Sequence, residues 1–289
     1  MSIRQSLSQM HQSYLKKKRE ELRTLIKNKE WQYGVTRQKR DPQIIVSFTS
    51  YPKRFPDIDL CIKSLVNQEF KADRIILWLG NDSSSEDEAG LKDKYSQYGV
   101  EIFRDTEKNL RSHKKYFYAI GRFPKDIIVL ADDDLIYPPD WLASLYKSYR
   151  KYPDCISAWR VHRVCWDKQG KPVPYAKWEQ EVKARKPAHD LLSTTGFGTV
   201  IPPGSLRDEV LNEDVFMAKA RSADDFWIKI IALISGVKVV WVPNRMILLP
   251  ETNLDPHETL KIINVQNGGN DTVFNALVDH YHLGEKDFS

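Results

Sequence analysis

The sequence predicts an α/β fold with a mostly parallel central sheet flanked by helices. Short apolar runs recur from Gln43 onward, helical or turn-rich segments separate them, and each run reads as buried on both faces. Ile44 to Phe48 is the first expected strand, followed by Arg74 to Leu79, Val100 to Phe103 and Asp126 to Leu130. Helices are expected over Asp59 to Gln68 and Asn109 to Ile120. Past Asp134 the pattern predicts a helix from Asp140 to Tyr152, a strand from Ile156 to His162 and a hairpin around Gln169 and Gly170. A Gly-rich loop at Gly196, a helix over Ala223 to Ser235 and a strand from Lys238 to Val242 complete it.

Ahead of the sheet, residues from about 5 to 33 contain no Pro or Gly, and Leu7, Met10, Tyr14, Leu22, Leu25 and Ile26 recur near helical spacing. That predicts an N-terminal helix, with Thr36 to Pro42 as a linker. Residues 1–40 hold eleven Lys or Arg against three Glu, a net +8, while the remainder holds 33 basic against 36 acidic residues, a net −3. The basicity therefore belongs to the tail, which argues against a general nucleic-acid binder with a basic face on its folded domain. The run Lys16 to Arg19 reads either as a solvated helical face or as a peripheral contact with anionic lipid or a partner. Three divisions follow: a basic helical extension and linker over 1–40, an α/β domain over 41–250, and a C-terminal extension over 251–289.

No stretch approaches the roughly 20 apolar residues that span a bilayer, and the start lacks a signal-peptide core. Cys61, Cys155 and Cys165 contain no C-x-x-C pair, so neither a disulfide framework nor a zinc ribbon is indicated. A cytoplasmic protein is expected, soluble or peripheral on the inner face of the membrane. An oligomer is compatible with the sequence.

The strand at Ile127 to Ala131 runs directly into Asp132, Asp133 and Asp134. Ligands of open α/β sheets bind at the carboxyl ends of the strands. Three adjacent carboxylates repel one another unless a cation offsets them, and hard oxygen ligands suit Mg2+ or Mn2+ bridging a diphosphate. The competing reading is an acidic turn that caps the following helix.

Four features in order resemble the glycosyltransferases of the GT-A (Rossmann-like) fold, and within them the family-2-like bacterial enzymes that build capsules and surface polysaccharides. They are the strand and turn Val46 to Pro52, the D-x-D-type run 132–134, the Gly-rich stretch ending in Pro-Pro at 196–203, and Ala223-Asp224-Asp225-Phe226-Trp227. The resemblance implies a nucleotide pocket lined by Thr49, Ser50, Tyr51 and Arg54, residue types that can hydrogen-bond a pyrimidine or phosphate and stack on it. It places Asp105 at another carboxyl-end loop, Lys114 or Lys115 at the diphosphate, Asp133 beside the nucleotide, and Gly196 and Gly198 along the donor sugar and acceptor. Asp132 and Asp134 would hold the metal, with His257 as a further ligand. The second acid of the pair, Asp225, would be the catalytic base, although this chain has Asp224 where the family customarily has Glu. The same resemblance implies that 41–250 is the catalytic domain and that 251–289 completes its site.

The implied reaction is an inverting transfer from a UDP-sugar, with galactose or galactofuranose as candidate sugars, to a glycan or lipid-linked glycan hydroxyl. Alternatives from the residues alone are a polar βα turn at 49–54, a solvated basic helix at 111–115, a plain bulge at 196–198 and a helix cap at 224–225. Two other function classes remain open at this level: a metal-dependent nucleotidyltransferase and a non-enzymatic glycan- or membrane-binding module.

Overall fold

The computed structural model describes residues 3–38, 40–244 and 269–289. Helix α1 (Ile3–Asn28) precedes strand β1 (Ile44–Thr49), helix α2 (Asp59–Val66), strand β2 (Arg74–Leu79), helix α3 (Ser85–Tyr95), strand β3 (Val100–Arg104), helix α4 (Lys114–Arg122) and strand β4 (Ile127–Leu130). The four strands are mutually parallel, with Val46 of β1 level with Ile75 of β2 and Val129 of β4. Parallel neighbours need crossover connections, and the helices supply them.

Successive strand residues point to opposite faces, so unbroken apolar runs serve two cores. Ile45, Ile76 and Ile128 join one core, while Ile44, Val46, Phe48, Ile75, Leu77 and Val129 join the other.

The second half adds helix α5 (Trp141–Lys151), strands β5 (Ile156–Ala158), β6 (Val161–Arg163), β7 (Leu191–Ser193) and β8 (Thr199–Ile201), helices α6 (Glu213–Lys219) and α7 (Asp224–Ile234), strand β9 (Val239–Trp241) and helix α8 (Gly269–His280). The main sheet has the order β3-β2-β1-β4-β8-β5-β9, and β8 runs against both its neighbours. Strands β6 and β7 form a separate antiparallel ribbon. Side chains from α4, α6, α7 and α8 fill the first core, and those from α2, α3 and α5 fill the second.

Two expectations change, and one helix is added. The run from Ile156 to His162 is two strands in different sheets, because the chain turns at Trp159 and Arg160, where Trp159 N donates to Gly198 O at 3.0 Å. The helix expected from Asn109 starts at Lys114, after a 3-10 turn whose first residue, Arg111, has φ +52. Helix α3 has no counterpart in the periodic pattern, since it buries only Leu91 and Tyr95. Its start is instead marked by a capping box between Ser84 and Asp87.

The segment ahead of the sheet is bound into the fold. Leu22 and Ile26 of α1 are buried with Ile136 and Leu60, and Lys63 Nζ donates to Lys27 O at 2.8 Å. Trp31 stacks on Tyr98 with ring centroids 4.8 Å apart. Gly34 N donates to Tyr98 O and Thr36 N to Ala72 O, both at 2.8 Å. A side chain at Gly34 would meet Val66 Cβ at 2.8 Å, which explains the glycine. Because Ile26 is fully buried, Ile26→Ala is expected to lower unfolding free energy by about 2–5 kcal/mol. Urea denaturation checks this, and a loss below about 0.5 kcal/mol would mean that α1 is only loosely docked. Among the described residues no helix is long and apolar enough to cross a membrane.

Candidate active site

Because β1 and β4 are parallel neighbours, the loops that follow them leave from one edge. Asp132, Asp133 and Asp134 stand at that edge, and their like charges are separated by three different partners. Asp132 Oδ1 accepts from Lys115 Nζ at 2.6 Å, Asp133 accepts from the hydroxyl of buried Ser50, and Asp134 lies 3.2 Å from the Arg54 guanidinium. Burial, then the charge of Asp134, pushes the Asp133 acid up to about 7. The backbone is anchored as well: Asp132 N donates to Tyr137 Oη at 2.7 Å, and Tyr137 Oη donates to Gly196 O at 2.6 Å.

Lys115 is buried between two acids, 2.6 Å from Asp132 and 3.0 Å from Asp224. Burial works against the ammonium, but Asp132 and then Asp224 hold its pKa above the ordinary lysine value. Burial likewise works against ionised Asp224, and Lys115, His113 and the Thr195 and Ser112 hydroxyls together outweigh it, keeping that carboxyl below the usual range. Asp225 responds in the opposite direction. Burial, then the neighbouring Asp224 charge, raises it to about 6. Thr195 ties the pair to the Gly-rich loop: its N–H donates to Asp225 Oδ1 at 2.8 Å, and its hydroxyl lies 2.7 Å from Asp224 Oδ2 and 2.6 Å from Asp225 Oδ1. One hydroxyl proton serves only one of them at a time.

Gly196 is required by packing against this cluster. A Cβ there would fall 1.7 Å from Asp132 Oδ2, so any side chain displaces the acid run. Gly198 has φ +113, and a Cβ would sit 2.3 Å from Trp141 Nε1, which donates to Phe197 O at 3.0 Å. At both glycines the close neighbour is thus a side chain of this chain, Asp132 and Trp141 respectively.

The remaining expected residues divide. Ser50 and Arg54 are joined to the acid run, whereas Thr49 Oγ1 donates to Trp78 O at 2.8 Å and belongs to the sheet. Tyr51 is exposed at 39% and lies 6.0 Å from the Arg54 guanidinium. Asp105 closes its own loop, accepting from Glu107 N at 2.8 Å, Lys108 N at 3.0 Å and the Tyr118 hydroxyl. Lys114 is buried and donates to Asn109 Oδ1 at 3.0 Å. His257 lies outside the described residues. Thr195, Tyr137 and Ser47 were not singled out by the sequence. The Ser47 hydroxyl donates to Lys115 O and accepts from Trp78 Nε1 at 2.8 Å, fixing the start of α4 against β1.

Five carboxylates at this edge face Lys115 and Arg54, so negative charge is in surplus, and it adds to burial in raising Asp133 and Asp225. That donor set fits a hard divalent cation. Asp132 and Asp134, 40% and 30% exposed, are the oxygens open to one. Among the described residues no group of three or more His, Cys, Asp or Glu is gathered to enclose an ion.

The family model for glycosyl transferase family 2 matches residues 44–213. The chain belongs to that family and is a glycosyltransferase. No curated protein gives a significant match. Among solved structures it is similar to the mannosyltransferase PcManGT from Pyrobaculum calidifontis in complex with GDP-Man and Mn2+, at 10% identity and TM-score 0.48, over 93% of this chain and 84% of that one. It is also similar to S. aureus TarS 1–349 in complex with UDP, at 14% identity and TM-score 0.43, over 68% and 57%. A third is a CMP:2-keto-3-deoxy-manno-octonic acid synthetase complexed with CTP, at 8% identity and TM-score 0.43, over 69% and 88%.

Proposed function

We propose that the chain moves a sugar from a nucleoside-diphosphate donor, UDP-linked galactose or galactofuranose being the first candidates, to a hydroxyl of a glycan or lipid-linked glycan in surface-polysaccharide synthesis. One observation carries the reading: the acid run, the Gly-rich loop and the acidic pair meet at a single sheet edge, joined through Lys115 and Thr195. Arg54, Ser50 and Tyr51 lie on the loop beside the acid run and would receive the nucleotide. Asp132 and Asp134 would hold a divalent ion, whose chemistry is to offset the charge of the departing diphosphate.

The two acids of the pair are unequal in a way that supports Asp225 as base. Asp224 is neutralised by Lys115 and held ionised, whereas Asp225 keeps one oxygen on Thr195 and is raised toward neutrality. A base with its pKa near the working pH is the effective one. In the proposed step the acceptor oxygen bonds to the anomeric carbon, the bond from that carbon to the diphosphate oxygen breaks, and the acceptor proton passes to Asp225. With one base and no covalent sugar-enzyme bond, the configuration at that carbon inverts. The test is a panel of nucleotide sugars offered to the wild-type protein, with donor consumption and thermal protection as readouts.

Contact of the basic α1 with an anionic membrane surface belongs to the same reading. Lys16, Lys17 and Arg19 are exposed along it.

A further inference from the structure

On the ribbon side of the acidic pair the chain carries buried donors that, among the described residues, have no hydrogen-bond partner. Arg160 sits where the chain leaves the main sheet for the ribbon, and its carbonyl accepts from Thr194 N at 3.0 Å, next to the Thr195 that binds Asp225. Its guanidinium lies over the Phe197 ring at 4.4 Å. Stacking on an aromatic face leaves the in-plane N–H groups free to bond. Nε is buried and, among the described residues, has no hydrogen-bond partner. The nearest acid, Glu181, is 3.8 Å away, beyond hydrogen-bond reach. Arg54, by contrast, already has Asp134.

The Tyr175 phenol lies in the electrostatic field of both Asp225 and Arg160. Its ring packs on His162, Trp178 and Phe226 at 5.8, 5.2 and 5.6 Å, and its N–H is held by Asp271 Oδ1 at 2.6 Å. Burial, then the Asp225 charge, pushes the phenol up to about 12, with Arg160 opposing. The phenol therefore stays a donor. Buried His162 accepts at Nδ1 from Glu181 N at 2.9 Å, which leaves the proton on Nε2, and Nε2 has no partner among the described residues. Burial, then Arg160, lowers His162 to about 3 and keeps it neutral. Among the described residues the wall thus offers one guanidinium, whose ion pair with exposed Glu181 is long, and two unfilled donors, Arg160 Nε and His162 Nε2, with the Tyr175 hydroxyl beside them, a set suited to anionic oxygens.

We propose that Arg160, backed by Phe197 and assisted by Tyr175, recognises an anionic group of the acceptor, a phosphate or a carboxylate lying near the hydroxyl that attacks. The proposal rests on the transferase reading above, which supplies the acceptor. It makes acceptor charge the selectivity of this enzyme, with the donor diphosphate handled at the opposite end by the acid run and Arg54.

Calorimetry on protein saturated with UDP and Mn2+ separates the two ends, because UDP occupies the donor's phosphate positions. Glucose 1-phosphate and methyl glucuronide are expected to bind the wild type about 10–100-fold more tightly than methyl glucoside. Arg160→Gln should abolish that preference, Arg160→Lys should keep part of it, and Tyr175→Phe should weaken it severalfold, all with unchanged UDP affinity and unchanged melting profile. Equal binding of charged and neutral probes by the wild type, with UDP bound normally, would overturn the proposal alone. A fall in UDP affinity in Arg160→Gln would assign the guanidinium to the donor and overturn it too. Failure of the wild type to bind UDP would strike the transferase reading and this proposal together.

Discussion

Asp225→Asn is expected to transfer sugar about 10²–10⁴-fold more slowly than the wild type, the range of lost general-base catalysis, while binding the donor normally. Amide and carboxylate have nearly the same shape, and the Thr195 N–H can bond either oxygen. Since the Asp225 acid is raised to about 6, the base is ionised above that pH and protonated below it. Wild-type kcat/KM should therefore fall as pH drops through about 6, and the variant should lose that limb. Stability has the opposite sign: a carboxyl raised on folding favours the folded state when protonated, and this contribution disappears as pH rises through about 6. Asp225→Asn should be at least as stable as the wild type at pH 8. Asp224→Asn supplies the control, because Asp224 is bound to Lys115 and its loss should cost stability first. Near-normal transfer by Asp225→Asn with an inactive Asp224→Asn would move the base one residue back.

Lys115→Met is expected to lower unfolding free energy by about 3–5 kcal/mol, the cost of leaving a buried charge without its partner. The charge that suffers is Asp224, whose side chain is 8% exposed, more than Asp132, which can turn to water at 40%. The pH dependence follows from the depressed Asp224 carboxyl. Its stabilisation is complete above the ordinary Asp value near 4 and is lost as pH falls below it. Lys115→Met should flatten that acid-side loss. Urea denaturation of both proteins between pH 3 and 8 measures it, and a difference under about 1 kcal/mol at pH 7 would mean that the three groups are not coupled as the geometry implies.

Much of the scaffold could be read in sequence because its strands are buried on both faces: runs such as Ile44 to Phe48 and Ile127 to Leu130 have no alternative as helix or loop of that length. The acid run was legible for the same reason, since it follows such a strand directly. What escaped are features set by contacts far along the chain. Lys115 is expected at the diphosphate as one cation of a basic helix, but its pairing escaped, because only the fold brings Asp132 and Asp224 to either side of it. Thr195 reads as a turn residue until α7 delivers the acidic pair to it. Thr49 looks like a ligand contact beside Ser50, yet its hydroxyl faces the neighbouring strand's carbonyl while Ser50 faces Asp133. Helix α3 lacks an apolar stripe because it lies mostly in water, so its signal was the cap and not the periodicity.

The central claim is that this sheet edge holds a nucleotide sugar for transfer, and the most direct measurement is donor turnover by the wild-type protein across a nucleotide-sugar panel, with Mn2+, with Mg2+ and in chelator. The expected result is consumption of one donor class, UDP-linked sugars first, with release of nucleoside diphosphate and inverted product sugar, lost in chelator and restored by Mn2+. Absence of turnover and of thermal protection with every donor would contradict the claim, and so would release of pyrophosphate in place of nucleoside diphosphate.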